Sequence, residues 1–263
     1  MHQKLSKTNQ SVEKTLQIIE IMAKGKSPMQ LQNIAIKAGL PASTALRLIN
    51  TLLNNGYATQ DPMTLRYSLS LKFSYIGSLV SSQVRIRDLA HPYLMDLSRK
   101  CQESVCLAIE QDMEVIYIDV IDGPDGMLQI TQRIGKRAPM HSTGVGKILL
   151  ENYSSKQLNQ LIAIKGLQIL TPHTISNREN LVSEIDAVKK QGYALDNEEC
   201  ELGARCVAVG IRDYSKCVVA GISISGPISR MSMEKISTII HVLSEGATNI
   251  SRLLGYEEAG TPV

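Results

Sequence analysis

The sequence predicts an α+β fold in two parts: a helical head ending near residue 70 and a larger domain built on a mainly antiparallel sheet. Three observations predict it. Apolar residues recur at helical spacing through the first third and give way to β-branched runs beyond residue 103. The charge divides in a similar place. Residues 1–83 carry nine basic side chains against three acidic, a net +6, and the remainder carries 19 against 22, a net −3. The 263 residues, 43% of them hydrophobic, suffice for two modest cores rather than one large one.

In the head, Val12, Leu16, Ile19 and Met22, with Thr15 and Ala23 beside them, form the stripe of a first helix, which Gly25 and Ser27-Pro28 end. Leu31, Ile34, Ala35 and Ala38 give a short second helix, and Gly39-Leu40-Pro41 a tight turn. Ala45, Leu48, Ile49, Leu52 and Leu53 make the core face of a third helix. Asn54-Asn55-Gly56 stops it, with Gly56 suited to a left-handed cap. Two short helices around a glycine-containing turn are a helix-turn-helix.

Burying that core face leaves Ser43, Thr44, Leu46, Arg47, Asn50 and Thr51 outside or at the margins. This set suits the major groove of double-stranded DNA, where Arg reads guanine, Asn reads adenine and Leu touches a thymine methyl. No acidic residue lies between Pro41 and Asn55 to repel phosphate. An ordinary solvated helix face is the alternative, though such faces usually carry more Glu and Lys. Residues 57–60, the turn Asp61-Pro62-Met63-Thr64 and residues 65–69 read as strand, turn, strand. This is a wing, with Arg66 near its tip and placed to reach a minor groove or phosphate. The basic excess suits a polyanion-binding head, and a solvated basic face accounts for it equally well.

Residues 71 to about 82 read as a linker helix broken only by Gly77, and 86–101 as another helix interrupted at His91-Pro92. Strands are expected at 105–109, 115–121 and 128–131, with a turn over 122–126. Helices follow at 144–151, 155–164 and 178–191, strands at 193–196, 206–211 and 218–225, and a last helix at about 233–254. The expected domains are 9–70, a linker helix at 71–84, and 85–258.

Composition excludes several classes. The five cysteines (101, 106, 200, 206 and 217) form no CxxC pair, so reduced thiols are expected rather than a disulfide framework, structural zinc or any other metal site. With no Trp and one Phe, stacking on single-stranded nucleic acid is poorly supported. No stretch approaches the roughly 18 unbroken apolar residues of a membrane span, and no apolar segment follows Met1-His2-Gln3-Lys4-Leu5. The expectation is a cytoplasmic protein without a membrane partner.

Gly144-Val145-Gly146-Lys147 lacks the earlier glycine and the following Ser or Thr of a phosphate-binding loop. Ser142, Cys206, His141 and Asp196 are the candidates for hydrolytic chemistry, but no Gly-x-Ser-x-Gly elbow is present. The expectation is no enzyme, no catalytic residue and no cofactor. Turnover in the absence of DNA is the observation that would favour an enzyme.

Gly39-Leu40-Pro41-Ala42-Ser43-Thr44, with Arg47-Leu48, Leu52, Gly56-Tyr57 and Tyr67-Ser68-Leu69, resembles the DNA-binding domain of the IclR family. One departure is Ser70, where the family usually places Gly. Four further segments resemble the family's effector-binding domain. They are His141-Ser142-Thr143-Gly144-Val145-Gly146-Lys147, Gly192-Tyr193-Ala194-Leu195-Asp196-Asn197-Glu198-Glu199, Gly203-Ala204-Arg205-Cys206-Val207-Ala208 and Gly221-Ile222-Ser223-Ile224-Ser225-Gly226-Pro227. The resemblance spans roughly residues 9–256.

The resemblance implies a winged helix-turn-helix joined by the linker helix to a GAF-like effector-binding domain. It implies a sequence-specific regulator of operator DNA, with repression the favoured direction, modulated by a small carboxylate-bearing metabolite such as an organic acid or sugar acid. It further implies homodimers or tetramers, with the linker region helping to form the dimer and transmit motion; a plain linker is the alternative. Among pocket positions, the backbone at Gly144 and Val145 matches the helix start that holds a carboxylate. Asp196, Cys206, Ser223 and Ser225 match the polar lining, and Ile130 and Ala138 the apolar lining. A helix start offers free N–H groups to an anion, and Ser223 and Ser225, two apart on a strand, point to one face. Without the resemblance, the serines read as a solvent-facing strand side. A DNA-binding protein with no ligand is a further alternative, told apart by whether any metabolite alters DNA binding.

Overall fold

The computed structural model describes residues 9–25, 27–83, 85–123 and 132–257. Contacts divide the chain into two compact units, Met1–Val84 and Arg85–Val263.

The first unit opens with helix α1, Gln10–Lys24, capped by the Asn9 side chain, which accepts from the Ser11 N–H. Helices α2 (Leu31–Lys37) and α3 (Ala42–Asn54) follow, then the antiparallel strands β1 (Ala58–Gln60) and β2 (Tyr67–Leu69) of the wing. Met29 bridges to Tyr67 and adds a third edge. Gly56, at φ +73°, takes the left-handed conformation that ends α3, where it and Tyr57 donate to the last-turn carbonyls of Leu53 and Leu52. Ile18, Ile34, Ala45, Ile49, Leu52 and Tyr67 form the core.

One expected face is corrected. Helix α1 has two apolar edges that share Met22: the structure buries Met22, as expected, together with Ile18, and leaves Val12 and Leu16 about half exposed. Spacing alone cannot choose between two such edges; packing against α2 and α3 does.

Helix α4 (Lys72–Gln83) is fastened to the wing root. The Lys72 ammonium donates to the Asn55 carbonyl at 2.8 Å and lies 4.3 Å from the Tyr57 ring centre, and Phe73 packs on the same ring at 5.2 Å. Ser70 supplies what the family's glycine does not: its hydroxyl donates to the Gly56 carbonyl and accepts from the Lys72 N–H.

The second unit is a six-stranded antiparallel sheet between two layers of helix. In chain order its strands are β3 (Ser104–Gln111), β4 (Glu114–Ile121), β5 (Arg137–Ala138), β6 (Ala194–Asn197), β7 (Ala204–Arg212) and β8 (Val218–Pro227). Their spatial order is β5-β4-β3-β8-β7-β6. One face carries Val105, Leu107, Val207, Val209, Ile222 and Ile224 against helices α5 (Ile86–Cys101) and α9 (Met233–Leu253). The other carries Cys106, Ala108 and Ala208 beneath α6 (Gly144–Leu149), α7 (Ser155–Lys165) and α8 (Arg178–Gln191). Alternation along each strand separates the two cores.

Two further expectations change. Helix α5 runs through Pro92 instead of breaking there. Pro92 forfeits the bond to the Asp88 carbonyl, but both residues lie on the exposed side of the helix, while buried Ala90, Leu94 and Leu97 hold both halves to the sheet. The helix expected over 144–151 ends as α at Leu149 and continues as one 3-10 turn, Leu150–Asn152. The strand expected at 128–131 lies outside the described residues.

Candidate functional site

On α3, the buried side is Ala45, Leu48, Ile49 and Leu52, as the spacing predicts. Ser43, Arg47 and Asn50, at i, i+4 and i+7, form one line along the exposed side. Leu46 flanks that line and is 36% exposed. Thr44, half-buried, and Thr51 lie on the opposite flank. Thr51 donates to the Arg47 carbonyl and shares a shallow apolar recess with Val12 and Leu16 of α1, so it turns toward the neighbouring helix. Arg66 is exposed, but its guanidinium donates to the Pro28 carbonyl at 3.3 Å and is thereby tied to the segment that joins α1 to α2. The tip carries Met63 and Leu65.

The second unit gathers most of the other candidates. Strand pairing sets Asp196 opposite Cys206, Cys206 opposite Ser225, and Ser225 opposite Ser104. Directly opposed residues share a face, so four polar side chains cross four strands in one row. The adjacent row is Ala194, Ala208, Ser223 and Cys106. Helix α6 begins directly above: a methyl group added at Gly144 would stand 3.2 Å from Ala208 Cβ and 3.5 Å from Cys206 Sγ. Thr143 caps this helix by accepting from the Gly146 N–H. The Gly144 and Val145 N–H groups, earlier in the turn, have no acceptor within the helix. Ala138 is buried on the same face but three strands from β8. Ile130 lies outside the described residues.

Burial sets the chemistry of this row. It pushes the Cys206 thiol up to about 12 and the Cys200 thiol up to about 11, and holds the Tyr117 phenol well above its ordinary range. The Asp196 carboxyl rises to about 7, although it accepts N–H bonds from Glu199 and Cys200 that act in the other direction. At neutral pH the row therefore offers neutral thiol and hydroxyl donors. His141 turns Nε2 to the Gln168 carbonyl, and burial lowers its pKa. No described hydrogen bond joins it to Ser142, Cys206 or Asp196. No cluster of three or more metal-ligating side chains occurs among the described residues.

Lys147 escaped the sequence reading except as part of a glycine-lysine run. It is 1% exposed and bonds Glu184 of α8 at 2.8 Å and Glu199 at 2.7 Å. Glu199 in turn donates its N–H to Asp196, so this ion pair ties α6 and α8 to the backbone that engages the end of the polar row. Ser104, in the row, and Cys106, in the row beside it, also escaped the sequence reading; the alternation Ser104-x-Cys106 was the available signal.

Comparison with known proteins decides the family. The family described as IclR helix-turn-helix domain matches residues 11–62, and that described as Bacterial transcriptional regulator IclR C-terminal matches residues 78–252. The chain belongs to the IclR family of transcriptional regulators. It is 34% identical to the HTH-type transcriptional regulator XynR of Escherichia coli over 94% of this chain and 98% of that protein. It is 32% identical to KdgR of Dickeya chrysanthemi, covering 97% and 84%, and 30% identical to the transcriptional repressor IclR of Escherichia coli, covering 94% and 90%. The Thermotoga maritima IclR crystal structure matches with a TM-score of 0.63 at 34% identity, covering 94% of this chain and 99% of that one. The Agobacterium tumefaciens repressor BlcR matches with 0.74 at 25%, covering 96% and 100%. The helix-turn-helix of an IclR regulator is thus the first unit, and the three-layer unit is its C-terminal domain. No helix among the described residues is long and apolar enough to cross a membrane.

Proposed function

We propose that this IclR-family protein is a cytoplasmic repressor that binds operator DNA through α3 and the wing, and that a small organic-acid or sugar-acid metabolite modulates its binding. Several relatives bear the name repressor, among them the acetate operon repressor of Salmonella typhimurium. Ser43, Arg47 and Asn50 make the base-reading line, with Leu46 at its edge and Thr44, Thr51 and Arg66 as flanking or phosphate contacts. One such head reads too few base pairs for a useful specificity ratio, so the working form is a homodimer or tetramer.

The observation that carries the sensor reading is the buried polar row beneath the start of α6. Ser223 and Ser225 lie on one face, Cys206 stands opposite Ser225 on the neighbouring strand, and the Gly144 and Val145 N–H groups, which have no acceptor within the helix, lie above. Neutral donors converging in a buried site suit a carboxylate. Asp196 completes the polar end and Ala138 belongs to the apolar periphery; the family resemblance adds Ile130 to the apolar lining.

The test is a thermal-shift screen of small organic acids and sugar acids, followed by operator binding with each hit. A ligand at one hundred times its dissociation constant stabilises the folded state by about 2.7 kcal/mol. A carboxylate that shifts both melting and DNA affinity supports the reading. A screen in which only uncharged compounds do so overturns it.

A further inference from the structure

We infer that the pocket takes up its carboxylate together with a proton carried on Asp196, so that effector affinity falls as pH rises through the neutral range. This rests on the carboxylate reading above and deepens it. Asp196 stands at one end of the polar row with its carboxyl buried. Its Oδ1 is engaged by the N–H groups of Glu199 and Cys200. Among the described residues no cation pairs with it: the nearby Lys147 ammonium bonds Glu184 and Glu199 instead. The other groups that bear on it are the Cys200 and Cys206 thiols and the Tyr117 phenol, all neutral through pH 8.

An anion arriving in this row therefore meets donors everywhere except at Asp196. Two carboxylates sharing a buried site cannot both stay ionised. A protonated Asp196 offers Oδ2–H to the ligand oxygen, where the ionised form repels it, as in sites that keep a carboxylic acid neutral so that it can donate. Burial, the largest influence, raises Asp196, the Glu199 and Cys200 N–H groups oppose it, the Glu199 charge adds to it and Lys147 opposes, and together they leave the carboxyl at about 7. The sign follows. Below this value Asp196 holds its proton and affinity is flat. Above it, each binding event must take a proton from solvent, and affinity falls about tenfold per pH unit.

The experiment is titration calorimetry of the full chain with acetate, lactate and gluconate at pH 6, 7 and 8, in two buffers of different ionisation heat. The expected result is a carboxylate that binds about tenfold more weakly at pH 8 than at pH 6, with close to one proton taken up at pH 8 and little at pH 6. Asp196→Asn, whose amide donates at every pH, should bind without that slope, whereas Glu199→Gln should keep it. The wild-type proton count decides the matter even if a variant fails to fold. Binding in the wild type without pH dependence or proton uptake overturns the inference and leaves the carboxylate pocket standing. Loss of the slope in Glu199→Gln, with the slope kept in Asp196→Asn, assigns the proton to Glu199 and also overturns it. Absence of binding by all three acids at every pH, in wild type and Asp196→Asn alike, removes the carboxylate reading and the inference with it.

Discussion

Lys147 and Glu199, 52 residues apart in sequence, meet at 2.7 Å, with the lysine almost wholly buried. Removing one partner of a buried pair leaves an uncompensated charge, which costs about 3–5 kcal/mol. Lys147→Met should lower stability by that amount in urea unfolding followed by circular dichroism. Lys147→Met combined with Glu199→Leu should recover most of the loss, because two apolar side chains then replace the two buried charges, while Glu184, Lys147's other partner, is 30% exposed and reaches solvent. A single substitution costing under about 1 kcal/mol would remove this pair as the brace of the row.

Gly146 is a second brace. A Cβ there would come within 2.7 Å of three backbone atoms of Met140, so α6 has to move to accept it. Gly146→Ala should destabilise by about 1–3 kcal/mol through overpacking. It should also weaken any ligand held at Gly144 and Val145, since both precede it in the same turn. Thermal melting with and without ligand reads both effects. A variant with unchanged melting and unchanged ligand shift would contradict the packing described for α6.

How much of this was legible in sequence depends on how local the cause is. The α3 face was legible because a single apolar stripe ends at Gly56, and both features lie within one helix. The α1 face was not, because Val12–Leu16 and Ile18–Met22 are both plausible edges and tertiary packing chooses. The two-residue strand β5 is too short to leave a pattern. Arg66 reads as a wing-tip cation until its bond to Pro28, 38 residues away, is seen. In the pocket, Ser223 and Ser225 were legible as neighbours on one strand. The row they join is set by register across four strands, which no single segment contains.

Arg47 stands in the middle of the exposed line on α3. Arg47→Ala should cost about 1–3 kcal/mol in operator binding and relax preference at one base pair. A competition assay against operators permuted at each position measures both. Unchanged affinity and unchanged preference would mean that a different face of α3 reads the DNA.

The central claim is that the row beneath α6 binds a carboxylate whose binding is coupled to that of DNA. Each hydroxyl lost to a charged ligand costs about 1.5–3 kcal/mol, and about 1.4 kcal/mol is one decade of affinity. Ser223→Ala with Ser225→Ala should therefore weaken the effector at least about tenfold. DNA affinity without effector should stay nearly unchanged, because the serines belong to a separate compact unit. The deciding measurement is an operator-binding titration of wild type and double variant against the carboxylate that the thermal-shift screen selects. The account predicts a half-effect concentration at least about tenfold higher in the variant, with the full extent of the effect preserved where the ligand still distinguishes the two states in the same ratio. An identical half-effect concentration in the two proteins would contradict it and place the ligand elsewhere.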